Sequence, residues 1–223
     1  MTKNVSVLVP CYNEESSIVL VLKKLLRLNF VQDIVVVNDC STDNSETMIL
    51  SLKSPKIKYI KHDKNRGKTA AISTAKTHAE GEIIIIQDAD LEYDPNEMIH
   101  VIEPIWNGVA DVVYGSRFMI RKASRVLYFY HYIANKFLTF LSNFFTNLNM
   151  SDIETCYKAF KAPILKEMRL TSKGFGMEVE ITAMISRLPI RVFEVPISYY
   201  GRTYEEGKKI GLKDGIDLPP EFC

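Results

Sequence analysis

Residues 1–118 alternate short apolar runs with longer segments of helical spacing. Val5–Pro10, Asp33–Asn38, Ile57–Lys61, Glu82–Gln87 and Ala110–Tyr114 read as strands, rich in β-branched residues and bounded by polar or turn-forming ones. Between them, Glu14–Leu28 carries Ile18, Leu22, Leu25 and Leu26 on one helical face, and Asp43 is set to cap a helix running to about Leu52. Gly67–His78 predicts a helix stopped by Gly81, and Pro95 suits the first turn of a helix reaching Trp106. The run Ile83–Ile86 has no polar alternation, which predicts a strand buried on both faces. Strands and helices in this order predict an α/β fold built on a Rossmann-like, mostly parallel sheet flanked by helices.

Residues 119–216 follow another pattern. Ser124–Met150 reads as one long helix, with Leu127, Tyr130, Ala134, Phe137, Leu138, Leu141, Phe144, Phe145 and Leu148 in an apolar stripe. The opposite stripe is polar but uncharged: Asn135, Thr139, Ser142, Asn143, Thr146 and Asn147. A short strand near Cys156–Lys161, helices near Ala162–Leu170 and Met177–Arg187, and a strand near Arg191–Ser198 complete an α+β portion. Tyr128, Phe129, Tyr132 and Phe140 add to the aromatic character of the long helix, which suits either a bilayer surface or packing against protein. Periodicity does not separate these two. With 223 residues and no linker or repeat, the chain is expected to form one domain, residues 1–223, with a short polar tail at 217–223.

Charge changes this picture locally rather than globally. A net charge of +1 argues against a nucleic-acid binder, whose footprint is strongly basic. Val112–Ser151 nevertheless contains no acid, while Arg117, Arg121, Lys122, Arg125 and Lys136 lie within it, which suits an anionic partner. Cys11, Cys40, Cys156 and Cys223 are far apart and lack histidines at zinc-site spacing, so free thiols in a reducing, cytoplasmic setting are expected. The chain opens directly into a strand and has no apolar run of about 18 residues, so neither a signal peptide nor a membrane span is expected.

Parallel sheets bind ligands at the carboxyl ends of their strands. Asn13-Glu14, Asp39, Asp88 with Asp90, and Arg117 each follow a predicted strand, so separate segments converge on one edge. In an extended segment Asp88 and Asp90 point the same way, and Glu92 follows two residues later. Such carboxylates suit a hard divalent cation, Mg²⁺ or Mn²⁺, which takes few protein ligands and completes its shell with water and phosphate oxygens. A solvated acidic turn, with Asp94 capping the Pro95 helix, is the plainer alternative.

Val7–Glu15, Val37–Asp43, Asn65–Lys68, Asp88-Ala89-Asp90 and Gly115–Arg117, in that order, resemble the successive motifs of family 2 glycosyltransferases, which have the GT-A fold. Asp152–Phe160 and Glu194–Thr203 resemble later motifs of the polyprenyl-phosphate sugar synthases within that family, which include dolichyl-phosphate mannose and glucose synthases. The resemblance implies residues 1–118 as the nucleotide-sugar half and 119–216 as the acceptor half. It puts Pro10, Tyr12 and Glu14 at the base and ribose, Asp39 on the base, Lys68 on phosphate, and Asp88 on ribose or metal. Asp90 is the expected metal ligand and Glu92 a third contact. Many members of that subgroup carry transmembrane helices after the catalytic domain, whereas this chain ends Asp217–Cys223, so any membrane contact is expected to be peripheral and on the cytoplasmic face.

The implied activity is inverting transfer of a hexose from a UDP- or GDP-sugar to a polyprenyl phosphate. An acceptor phosphate is already anionic, so it needs cations rather than a base; Arg117, Arg125, Arg202 and Lys208 are the candidates. A sugar-hydroxyl acceptor, as in polysaccharide or glycolipid synthesis, would need a carboxylate base, with Asp152, Glu178 and Glu180 available. A nucleotide-sugar-binding protein without catalysis is the alternative of another class. A nucleotidyltransferase fits poorly, because no glycine-rich phosphate loop follows the first strand.

Overall fold

The computed structural model describes residues 4–119, 128–172 and 176–201. Residues 120–127, 202–223 and the tail expected at 217–223 therefore lie outside the description. The strands are β1 (Val5–Cys11), β2 (Val31–Asn38), β3 (Ile57–Lys61), β4 (Ile83–Ile86), β5 (Val112–Ser116), β6 (Lys158–Lys161) and β7 (Val192–Pro196). They form one sheet in the order β3-β2-β1-β4-β6-β5-β7. The helices are α1 (Ile18–Leu26), α2 (Ser45–Ser51), α3 (Lys68–His78), α4 (Met98–Trp106), α5 (Phe129–Thr146), α6 (Ala162–Glu167) and α7 (Met177–Ile185).

The α/β expectation, with a mostly parallel sheet flanked by helices, holds. Strands β1 to β4 pair in parallel. All four isoleucines of β4 are buried, as a strand covered on both faces requires. Strand β6 enters the sheet antiparallel to both β4 and β5. Two reversals restore direction, so β5 still points the same way as β1, β2 and β4. The ends of all four strands, carrying Tyr12, Asp39, Asp88 and Arg117, therefore open on one edge. Gly81 serves less as a helix stop than as a spacer: a Cβ there would lie 2.6 Å from the backbone nitrogen of Ser6 in β1.

Three boundaries differ from expectation. Helix α1 starts at Ile18 rather than Glu14, because Asn13 takes a left-handed φ of 53° and residues 14–17 form a turn closed by Ser17 N–H on Glu14 O. Pro95–Glu97 is a separate 3₁₀ turn before α4, capped by Asp94, whose side chain accepts from Asn96 N–H. The long helix is shorter than Ser124–Met150: Tyr128 is extended, and Asn147 ends the helix in the left-handed conformation.

The largest departure is the orientation of α5. Its inward face carries Thr139 and Ser142, both buried, while Phe137, Phe140, Phe144 and Phe145 are 59%, 63%, 74% and 78% exposed. The polar stripe meets the domain through specific bonds. Asn143 bonds the backbone of Met150 in both directions, at 2.8 and 3.1 Å, and Thr139 Oγ1 accepts Ile153 N–H. The aromatic stripe faces outward. No helix among the described residues is long and apolar enough to cross a membrane.

Candidate active site

The first wall of the site comes from β1 and β2. Beyond Pro10, Tyr12 is 42% exposed and Glu14 half-buried. The Asn13–Glu14 turn is held against the β2–α2 loop: Asn13 Oδ1 accepts Thr42 N–H at 2.8 Å, and Glu14 N–H donates to Ser45 Oγ at 2.9 Å. Tyr12 therefore presents an aromatic face at a rigid edge, as stacking on a base requires.

Asp39 is buried, and both its carboxylate oxygens are engaged. They accept His62 Nδ1 at 2.6 Å, Arg66 N–H at 2.9 Å and Gly67 N–H at 2.7 Å. His62 Nε2 continues to Thr74 Oγ1 of α3 at 2.9 Å. Asp39 thus fastens the Arg66-Gly67 loop to the strand edge, a bracing task the sequence did not suggest. Gly67 takes φ 84°, and this left-handed step turns the chain into α3 with Lys68 at its start.

Lys68 Nζ lies 2.8 Å from Asp88 Oδ1 and 3.7 Å from Glu178 Oε1. Burial opposes its charge, but Asp88, Cys156 and Glu178 outweigh that and hold the ammonium well above its ordinary range. A charged lysine is thus held against the acidic turn.

Asp88, Asp90 and Glu92 do not converge as three ligands. After β4 the chain bends instead of staying extended: Glu92 N–H donates to Asp90 O at 2.9 Å. Two of the three carboxylates are engaged by other side chains. Asp88 meets Lys68, while Glu92 Oε2 accepts the Tyr199 hydroxyl at 2.8 Å. No group of three His, Cys, Asp or Glu among the described residues is arranged to hold a metal. The donor set still suits Mg²⁺ or Mn²⁺, which needs only one or two carboxylates when phosphate and water complete the shell.

Arg117, at the end of β5, is nearly buried and braced. Its Nε and Nη2 form a two-pronged pair with Asp152, at 2.7 Å each, and Nη2 also reaches Asn135 Oδ1 of α5 at 3.3 Å. The ring of Tyr199 lies 5.2 Å from its Cζ. Burial opposes the guanidinium charge, but Tyr93 and Asp152 hold it firmly protonated. Among the described residues Nη1 makes no hydrogen bond. Arg125, Arg202 and Lys208, the other expected phosphate contacts, lie outside the described residues.

The three expected base candidates separate. Asp152 is fully buried with both oxygens committed to Arg117, which makes it a brace and not a base. Glu180 accepts Thr171 N–H at 2.8 Å and Ser172 N–H at 3.0 Å, anchoring a loop away from the acidic turn. The two glutamates are two residues apart on a helix and so face different ways. Only Glu178, buried beside Lys68, belongs to the site.

One acid escaped the sequence reading. Glu154 has a buried Oε1 with no hydrogen-bond partner, and burial, then Glu178, push its carboxyl up to about 7. Its only signal was its place between Asp152 and Lys158. Tyr199 was likewise missed as a contact of Glu92 and Arg117.

Residues 6–169 match the profile of glycosyl transferase family 2. Among similar proteins are a dolichol-phosphate mannosyltransferase of Pyrococcus furiosus, 28% identical over 93% of this chain and 59% of its own length. A UDP-N-acetylglucosamine–dolichyl-phosphate N-acetylglucosaminyltransferase of Methanococcus voltae is 27% identical over 97% of this chain and 93% of its own. An undecaprenyl-phosphate mannosyltransferase of Micrococcus luteus is 27% identical over 92% and 86%. The chain thus spans less than two thirds of the Pyrococcus protein but most of the other two. Among solved structures, glucosyl-3-phosphoglycerate synthase of Mycobacterium tuberculosis, in complex with Mn²⁺, UDP and phosphoglyceric acid, superposes with a TM-score of 0.68. That match is at 16% identity and covers 91% of this chain and 72% of the other, a likeness of fold. With the profile covering well over half its length, the chain belongs to glycosyl transferase family 2.

Proposed function

We propose that this protein transfers a hexose, with inversion, from a UDP- or GDP-sugar to a polyprenyl phosphate at the cytoplasmic face of a membrane. The observation that carries this reading is the junction of Arg117 with α5. The braced guanidinium touches Asn135 on the inner side of a helix whose outer side is a row of exposed aromatics. A phosphate on a lipid tail has that same sequence of chemistry, an anion followed by an apolar chain. The similar polyprenyl-phosphate transferases support the same acceptor class.

In this reading residues 1–118 hold the donor. Pro10 and Tyr12 line the base, Glu14 accepts ribose hydroxyls, and Asp39 orients the loop that delivers Lys68 to the diphosphate. Asp90, with Asp88, holds Mg²⁺ or Mn²⁺, which would neutralise the leaving diphosphate. Glu92 stands beside this pair as a third contact. Lys68 leaves Asp88 for phosphate and frees that carboxylate for ribose or cation. Residues 119–216 hold the acceptor together with Arg117 from the end of β5: Arg117, joined by Arg125, Arg202 and Lys208, orients the lipid phosphate. A phosphate oxygen then attacks the anomeric carbon from the face opposite the departing nucleotide, and no protein base takes a proton.

Purified protein incubated with labelled UDP- and GDP-hexoses, Mn²⁺ and a short-chain polyprenyl phosphate should yield lipid-linked sugar. Absence of that product with every common donor overturns the acceptor assignment. Glu178, buried beside Lys68, favours one second reading, a sugar-hydroxyl acceptor with Glu178 as base. Transfer to oligosaccharides with a bell-shaped pH profile abolished in Glu178→Gln would establish it instead.

A further inference from the structure

Glu92, Arg117 and Tyr199 come from three segments far apart in sequence, yet one side chain touches the other two. The Tyr199 hydroxyl donates to Glu92 Oε2 at 2.8 Å, and its ring faces the Arg117 guanidinium with 5.2 Å between Cζ and the ring centroid. The ring has little freedom. Tyr93 packs against it at 5.3 Å between centroids and itself stacks on Tyr157 at 5.0 Å. The flanking backbone is strapped to the acidic turn: Tyr200 N–H donates to Glu92 O at 2.9 Å, and Ser198 donates through N–H and Oγ to Glu97 at 2.6 and 2.8 Å.

We propose that Tyr199 is a positioning residue that couples the nucleotide-side acidic turn to the anion-binding Arg117. A side chain bonded at one end to a carboxylate and at the other to a cation by its ring face cannot answer one without disturbing the other. When nucleotide and cation draw on the Glu92 carboxylate, the hydroxyl follows and the ring resets the surface on which Arg117 rests. Among the described residues Arg117 is otherwise held by Asp152 and Asn135 and lies 5.7 Å from the Phe118 ring centroid, so the nearer Tyr199 ring helps set how Nη1 is presented. Because coupling of binding free energies is reciprocal, an anion on Arg117 must change nucleotide affinity by the same factor. The names of the two ligands, and the draw on Glu92, rest on the donor side of the proposed function; the acceptor's identity does not enter the coupling.

Calorimetry on the full chain can measure the Kd of UDP or GDP with Mn²⁺, with and without inorganic phosphate or short-chain polyprenyl phosphate. The ratio of the two values is the coupling factor. Wild type should give about 5-fold or more, the lower end of typical couplings. Tyr199→Phe keeps the ring against Arg117 and loses the bond to Glu92, so its factor should fall towards one while anion affinity measured alone stays near wild type. Should that variant fail to fold, Glu92→Ala removes the same bond from the other end and should lower the factor likewise. A wild-type factor of one overturns the proposal. So does a Tyr199→Phe protein that loses melting temperature but keeps the wild-type factor, since a purely structural residue would behave that way. Coupling seen with inorganic phosphate in a protein that makes no lipid-linked sugar would sink the proposed acceptor while leaving this inference standing.

Discussion

Helices α1 and α5 are built on opposite rules. In α1 the apolar positions Ile18, Val21, Leu22 and Leu25 are all fully buried against the sheet. In α5 the buried positions are Thr139 and Ser142, and the phenylalanines point away from the domain. The first arrangement is complete in itself: burying each such side chain contributes about 1.5–3 kcal/mol, and nothing further is needed. The second leaves a large aromatic face in water, which favours an apolar partner outside the chain. Residues 1–118 thus carry their own core, whereas α5 presents an exposed aromatic face. The polar groups follow the same division. Asp39 is satisfied within residues 1–118, by His62, Arg66 and Gly67, whereas Arg117 bonds across to Asp152 and Asn135.

Four experiments test this division, beginning with the largest effect. Asp152→Ala strands the buried Arg117 guanidinium, and breaking such a pair costs about 3–5 kcal/mol. The urea midpoint should fall accordingly, with the m-value unchanged. A small shift would mean that Arg117 escapes to solvent and the acceptor side is not pre-built. Asp90→Asn should lower transfer by about 10²–10³-fold, the equivalent of several kcal/mol of lost cation-assisted stabilisation. Its melting temperature and its binding to vesicles should match wild type; loss of vesicle binding would show that the halves are not separable in this way.

The aromatic face offers a weaker but cleaner test. Phe140→Ser and Phe144→Ser should each reduce binding to vesicles containing anionic lipid by about 10-fold or more, since each ring contributes about 1.5–3 kcal/mol on burial. Stability should move by no more than about 0.5 kcal/mol, as for other exposed positions. Unchanged vesicle binding would remove the bilayer as the partner of α5, and a concentration-dependent change in mass would point to a second copy.

The fourth experiment concerns pH. Glu154 releases its proton at about 7 in the folded protein, above the ordinary 4.5, because of burial and then Glu178. Between those values the folded state holds the proton that the unfolded chain has lost, so stability declines as pH rises through that window. Glu154→Gln has no proton to release. It should gain on wild type from pH 4.5 to about 7 and run parallel to it above, as read from unfolding midpoints across that range.

Much of the donor half was legible because local rules decide it. The isoleucine run of β4 has only one comfortable environment, a strand covered on both faces, and the acids and the arginine at strand ends follow from parallel topology. The site was legible in outline but not in detail. Asp39 was readable as a strand-end acid, yet its bonds to His62, Arg66 and Gly67 span 23 to 28 residues. Asp152 could be read as a base, a helix cap or a holder of an arginine, because nothing local shows Arg117, 35 residues earlier, closing on both its oxygens. Alternation suggested two or three acids turned to one side, but it could not show the bend after Asp88 or the bonds of Asp88 to Lys68 and of Glu92 to Tyr199.

The order of elements, the α/β fold and the residues gathered at one sheet edge were determined by the sequence itself, because hydrophobic period and topology are local and repeated. Which face of α5 turns inward, which carboxylates are bound by cations and which glutamate of α7 enters the site were decided only by tertiary structure. Those choices depend on partners brought together by the sheet, and a hydrogen bond formed across 35 residues leaves no trace in the spacing of either end.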